Sequence, residues 1–240
     1  MTQRRQPQRR TDRRSAAAKR DGALALTFVN TTAAQRTPLD DYAGLLAWSR
    51  KHGALSSEEA GRLERLAAER SDEADAAFDA AEDLRDLLAR IMNALADGER
   101  PTGEAIDALS AYFVHTVPPP RLVPAGDGYR RDWAAAREDD LSRPLWLVVQ
   151  SAFDVLTSEE RGCVVRCAGE GCGLLFVARN QGRPRKWCDM KACGNRAKSR
   201  RRYHGFVKHR KKEIRRRAKE RLRREGVERA GARREQADRT

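Results

Sequence analysis

Three observations predict a mainly α fold: a helical N-terminal domain with a small β-hairpin, then a small cysteine-stapled module and a basic C-terminal helix. The composition is 40% hydrophobic but only 6% aromatic, which suits a helical core filled by Leu and Ala. Apolar residues between Tyr42 and Leu156 recur at spacings of three and four, the period of a helix face. All five cysteines fall between Cys163 and Cys193, four of them as Cys167-x4-Cys172 and Cys188-x4-Cys193. A chain of 240 residues is long enough for one sizeable domain plus such a module.

Charge divides the chain further. The net charge of +14 is the sum of +7 over residues 1–20, −11 over 21–162 and +18 over 163–240. An acidic body between basic ends places any polyanion-binding surface at the ends. Residues 1–20 hold eight Lys/Arg and almost no large apolar groups, so they are expected to form a disordered basic arm. Residues 21–160 are read as the helical domain, 161–205 as the cysteine module and 206–240 as a basic helical tail.

Within the body, Pro38-Leu-Asp-Asp41 starts a helix carrying Tyr42, Leu45, Leu46 and Trp48, ended near Gly53. Ser56-Ser-Glu-Glu59 is a capping box opening a second helix with Leu63 and Leu66 on its apolar stripe. Ser71-Asp-Glu73 starts the longest helix of the body, whose stripe runs from Ala74 through Leu84, Leu88 and Ile91 to Leu95 and closes at Asp97-Gly98. Thr102 opens a shorter helix through Ile106, Leu109 and Phe113, which Pro118-Pro-Pro120 stops. Leu122-Val123, Gly126-Asp-Gly128 and Tyr129 to Trp133 predict a small hairpin, and Leu141 to Leu156 a final helix with Pro144 in its first turn.

The four paired cysteines fit a tetrahedral zinc ion, each close pair supplying two ligands and the insert folding back to join them. Cys167, Cys172, Cys188 and Cys193 are therefore the candidate metal ligands for one structural Zn2+, with no position left for water or substrate. Glycines 169 and 171 permit the tight first turn. Leu174-Leu-Phe-Val177, the turn-rich Asn180 to Pro184 and Arg185-Lys-Trp187 read as a hairpin, and the second pair begins a helix, a treble-clef-like arrangement. With few apolar residues of its own, this part is expected to unfold without metal. Cys163 is the odd thiol, read as a small buried apolar residue.

These residues carry a resemblance. Cys167, Cys172, Phe176, Trp187-Cys188, Met190 and Cys193-Gly194-Asn195-Arg196-Ala197-Lys198 resemble the CGNR zinc finger. Leu24-Ala-Leu-Thr-Phe-Val-Asn-Thr31 resembles the opening of the ABATE domain that commonly precedes that finger in bacterial proteins described as stress-induced transcription regulators. The resemblance spans residues 22 to 204. The chain departs from the family pattern at Thr27 and Ala178, where acidic residues are usual, and at Asp189, where Ser is common. The resemblance implies a sensory role for the N-terminal domain, with Phe28, Asn30 and Thr31 lining a ligand pocket; a helix cap or buried hydrogen bond is the favoured physical reading of Asn30 and Thr31, because that is how such polar groups are usually satisfied.

The strongest functional signal follows the last cysteine. Arg196, Lys198, Arg200, Arg201, Arg202 and the run from Lys208 to Arg224 read as a helix basic nearly all round, which needs an anionic partner. Asn195, Arg196, Lys198 and Ser199 include the types that hydrogen-bond base edges, the following arginines would mainly hold the backbone, and Arg185 and Lys186 are further candidate nucleic-acid-binding residues; Asn195 as a helix cap and Arg196 stacked on Trp187 are the structural alternatives. Enzymatic chemistry is not expected, because no phosphate loop, nucleophile elbow or deaminase motif occurs and His52 and His115 stand alone at helix ends. No apolar stretch approaches a membrane span and no apolar leader follows the first arginines, so a cytoplasmic protein is expected. The reading is a zinc-finger DNA-binding transcription regulator with a small molecule or protein as effector of the helical domain. The alternative is an RNA- or ribosome-associated protein that uses the zinc module as a scaffold.

Overall fold

The computed structural model describes residues 23–32, 39–133, 138–178 and 185–237, with side chains described as far as residue 226 except those of Thr32 and Arg224. The basic arm and the turn-rich stretch 180–184 lie outside the described residues. The chain divides into two compact units between Cys188 and Asp189.

The first unit begins with α1 (Leu24–Val29), which ends in a 3-10 turn over Asn30–Thr32. Helix α2 (Tyr42–His52) is capped by Asp41, whose carboxylate accepts from the Gly44 N–H at 2.7 Å, and is closed by Gly53 in the left-handed region (φ 77°). In α3 (Ser57–Glu69) the expected capping box is present: Ser56 Oγ accepts from the Glu59 N–H and the Glu59 carboxylate accepts from the Ser56 N–H. Helix α4 (Ser71–Ala96) is the long central element, and α5 (Gly103–Thr116) starts on Thr102, whose hydroxyl accepts from the Ala105 N–H. Strands β1 (Arg121–Ala125) and β2 (Gly128–Asp132) form the predicted hairpin, with Leu122 opposite Arg131 and Pro124 opposite Tyr129.

Helix α6 spans Arg143–Thr157 and has Pro144 in its first turn. It begins two residues later than the apolar pattern suggests because Asp140 ties down the preceding turn, its Oδ1 accepting from both the N–H and the hydroxyl of Ser142. Arg143 then pairs with Glu59 of α3 and stacks over Trp146 at 4.5 Å. The core is continuous. Phe28, Leu45, Leu63, Leu84, Leu88, Ile91, Leu109, Trp146, Val148 and Val149 are essentially inaccessible, and Phe28 lies against Trp48 with ring centroids 5.1 Å apart.

One departure from the sequence expectation decides the architecture. After a 3-10 turn (Glu159–Cys163), strand β3 (Val164–Arg166) pairs antiparallel with β4 (Leu175–Val177), Val165 opposite Phe176. Leu174 to Val177 therefore does not pair with Arg185 to Trp187; the latter residues hold no strand, and Lys186 contributes one main-chain bond, its C=O accepting from the Ala168 N–H at 2.9 Å. Two β-branched valines at 164 and 165 supply the strand partner, and the cysteine turn between them and Leu175 supplies the hairpin loop. Val164, Leu175 and Val177 belong to the same buried cluster as the helices, with β3 against α4 and β4 against α1 and α4. The first half of the cysteine module is thus built into the helical core.

The second unit opens with one π-helical turn over Met190–Gly194 and continues as α7 (Asn195–Ala237), 43 residues or about 65 Å of helix. Among the described residues no helix is long and apolar enough to cross a membrane.

Candidate metal centre and basic helix

The metal site is assembled from the tip of the β3–β4 hairpin and the turn before α7. The strand ladder continues into the loop through the Cys167 N–H, which donates to the Leu174 C=O at 2.8 Å, and at its other end the Ala178 N–H donates to the Cys163 C=O at 2.7 Å. Gly171 and Gly173 take positive φ (71° and 66°), a conformation that side chains resist, and so turn the chain back beneath Cys172. Gly169 has a different use: its N–H points at the Cys167 sulfur, 3.4 Å away, and the Cys188 N–H approaches the same sulfur at 3.3 Å. Burial alone would raise the Cys167 pKa, but these backbone donors and the neighbouring Cys172 and Cys188 thiols outweigh it and hold the thiol below its ordinary value.

The four sulfurs of Cys167, Cys172, Cys188 and Cys193 all lie within 4.8 Å of one another, and the Cys172 and Cys188 sulfurs are 3.7 Å apart. A tetrahedral zinc thiolate, with Zn–S near 2.3 Å, needs its sulfurs about 3.8 Å apart, so the donor set fits the ion in both type and spacing. Cys167, Cys172 and Cys193 are buried and Cys188 is half-buried. Four thiolates fill the coordination sphere of one structural zinc ion. Cys163, the fifth thiol, is half-buried and packs against the helical core.

In the second unit, Asp189 does the capping. Its Oδ1 accepts from the Ala192 N–H at 2.6 Å and its C=O accepts from the Gly194 N–H at 3.0 Å, which closes the turn that presents Cys193. The capping alternative for Asn195 is therefore corrected: Asn195 is already helical (φ −67°, ψ −41°) and the cap lies six residues earlier. Asp and Ser are both good N-caps, so Asp189 keeps the capping function of the residue it replaces in the family pattern. A Cβ at Gly194 would meet the Met190 sulfur at 2.8 Å, so a larger residue there would require that exposed side chain to move. The Arg196 guanidinium donates to the Cys193 sulfur at 3.3 Å, bringing a positive charge to a site whose four thiolates exceed the zinc charge by two.

The remaining candidate residues sit as follows. Arg185 stacks its guanidinium on the Phe176 ring at 4.6 Å. Lys186, Asn195, Lys198, Arg200, Arg201 and Arg202 are exposed, and so is nearly every described side chain of α7. That helix also exposes Tyr203, Phe206, Ile214 and Leu222, and it carries the ion pairs Glu213–Arg217 and Arg221–Glu225 one turn apart.

Phe28, Asn30 and Thr31 are placed inside the protein fabric. Phe28 is core, and the Thr31 hydroxyl donates to the Phe28 C=O at 2.7 Å. The Asn30 side chain pairs with the main chain of Leu175, its Nδ2 donating to the C=O at 2.8 Å and its Oδ1 accepting from the N–H at 2.9 Å. A surface groove among the described residues is lined elsewhere, by Glu73, Ala76, Ala77 and the stretch Glu138 to Ser142. Sequence reading missed Arg166, which binds Asn93 of α4 at 2.6 Å and both carboxylate oxygens of Asp97 at 3.0 Å; partners about 70 residues apart leave no local signal. It also missed Asp189, although an Asp three residues before Ala192 is an N-cap pattern.

A helical body fused through its core to a four-cysteine zinc finger is the class of protein that this fold and site define. The chain belongs to the ABATE family, described as putative stress-induced transcription regulator, whose pattern matches residues 22–159, and residues 164–204 match the CGNR zinc finger. Comparison with curated proteins finds no match.

Proposed function

We propose that the protein is a DNA-binding transcription regulator in which the zinc centre anchors α7 and the helical body receives the regulatory signal from a small molecule or a protein, with no catalytic role. The observation that carries this reading is α7 itself: a 43-residue helix, basic all round and exposed at nearly every described side chain, that starts two residues after the last zinc ligand. A helix of that charge is stabilised by neutralising phosphates. Asn195 and Lys198 stand exposed in its first turn, where a helix entering the major groove contacts base edges, and Arg200, Arg201 and Arg202 follow as phosphate contacts. Arg196, held on the Cys193 sulfur, links that first turn to the metal.

The test uses the full-length, zinc-loaded chain with fragmented genomic duplex DNA and excess structured RNA, at salt from about 50 to 200 mM. A regulator retains a subset of duplex fragments, and Asn195→Ala or Lys198→Ala erases that preference more than the affinity. Replacing Arg200, Arg201 and Arg202 together by Ala lowers binding to all fragments and flattens the salt dependence by about three ion equivalents. Retention indifferent to duplex sequence and competed away by RNA would replace this reading with an RNA-associated role. The RNA reading rests on the same all-round basicity of α7.

A further inference from the structure

The Asn30 side chain joins α1 to the strand that leads out of the first cysteine turn. Strand β4 is only three residues long and buried, with Leu175 3% exposed, and one of its edges is taken by β3. A buried strand edge with unpaired N–H and C=O groups is costly, and Asn30 supplies both an acceptor and a donor to Leu175 as a neighbouring strand would. The adjoining residue, Leu174, holds the Cys167 N–H through its carbonyl, so the amide of Asn30 is one residue removed from the bond that orients the first ligand pair. From the other strand, Arg166 immediately precedes Cys167 and is gripped by Asn93 and Asp97 at the end of α4. Two helices of the body therefore hold the two strands that lead into and out of the Cys167–Cys172 turn.

We propose that Asn30 is a positioning residue for the zinc site: by pinning β4 to α1 it preorganises the Cys167 and Cys172 half of the donor set and so raises the affinity for zinc. Outer-sphere groups that orient ligands commonly change metal affinity by about 10- to 100-fold, and Asn30 acts at the weaker end of that range because it works through the backbone. By linkage the coupling runs both ways, so zinc also steadies α1 against the hairpin. This inference concerns the metal centre and stands whatever nucleic acid α7 binds.

The experiment measures zinc affinity of the full-length chain by competition with a chromophoric chelator, alongside thermal melting of the body. Asn30→Ala weakens zinc binding about tenfold at a temperature where the body remains folded. Leu63→Val, a core change in α3 remote from the hairpin, lowers the melting temperature but leaves zinc affinity within about twofold, which separates positioning from general stability. If Asn30→Ala does not fold, Asn30→Ser decides: its hydroxyl can pair with only one of the two Leu175 main-chain groups, and it weakens zinc by an intermediate factor. Unchanged zinc affinity in a folded Asn30 variant overturns the proposal, as does an equal loss in Leu63→Val.

Discussion

Removing zinc should melt only half of the finger. Val164, Leu175 and Val177 are 2%, 3% and 6% exposed and lie in the helical core, so the β3–β4 hairpin has stabilisation of its own. Burying side chains of this size contributes about 1.5–3 kcal/mol each, or roughly 4–9 kcal/mol for the three. The paired bonds of Asn30 add about 1 kcal/mol each. By contrast, the segment from Cys188 to Gly194 buries little besides Cys193 and Gly194, and a structural zinc contributes on the order of 10 kcal/mol to such a segment. Hydrogen exchange with and without a strong chelator distinguishes the halves. The Ala192 and Gly194 amides, bonded only within the turn, should lose protection by more than about 100-fold, while the Ala178 amide on the Cys163 carbonyl stays within about tenfold of its zinc-loaded value. Simultaneous release of both sets would refute the conclusion that the body holds the hairpin, and would restore the sequence expectation of a finger folded by metal alone.

Two further outcomes follow from single side chains. Burial by itself would raise the Glu59 pKa, but the Ser56 N–H and the Arg143 guanidinium more than reverse this and hold it below the usual carboxylate range. A lowered folded pKa stabilises the protein above the unfolded value near 4.5 and is lost as pH falls through the folded one. Glu59→Gln should therefore cost about 1–3 kcal/mol at neutral pH, with the difference in melting temperature shrinking as the pH drops below about 4; a difference constant across that window would contradict the assignment. At the finger, Asp189→Ala removes the cap of the Cys193 turn, about 1 kcal/mol, and should weaken zinc about fivefold in a chelator titration, whereas Asp189→Ser should match the parent within about twofold. A serine variant as weak as the alanine one would show that the carboxylate matters for something other than capping.

The elements with local causes were legible in the sequence. Asp41, Ser56 with Glu59, Thr102 and Pro144 mark helix starts through bonds to residues within a turn, and Gly53 marks a stop through its own φ. The zinc ligands were legible for the same reason, since each pair is a short loop. What the sequence hid is pairing across distance. The apolar run at 174–177 announces a strand but not its partner, and Val164-Val165 won over Arg185-Lys-Trp187 because the intervening Cys167–Cys172 turn already reverses the chain and because Val164 faces the body core. Asn30 was legible as a polar group beside an apolar run, yet its partner stands 145 residues away, where no periodicity reaches.

That separation bears on how the molecule is made. Helix α1 is among the first described elements, and its partner strand β4 follows only after the whole body has been synthesised. Closing a loop of that length costs only slightly more entropy than closing a short one, so the contact is affordable at equilibrium but comes late in time. Until residues 164–177 emerge, the face of α1 that meets β4 is uncovered, and the core of the body is complete only once the first half of the metal site has joined it. A chain released before residue 164 would therefore lack all four zinc ligands and also carry an open seam in its core.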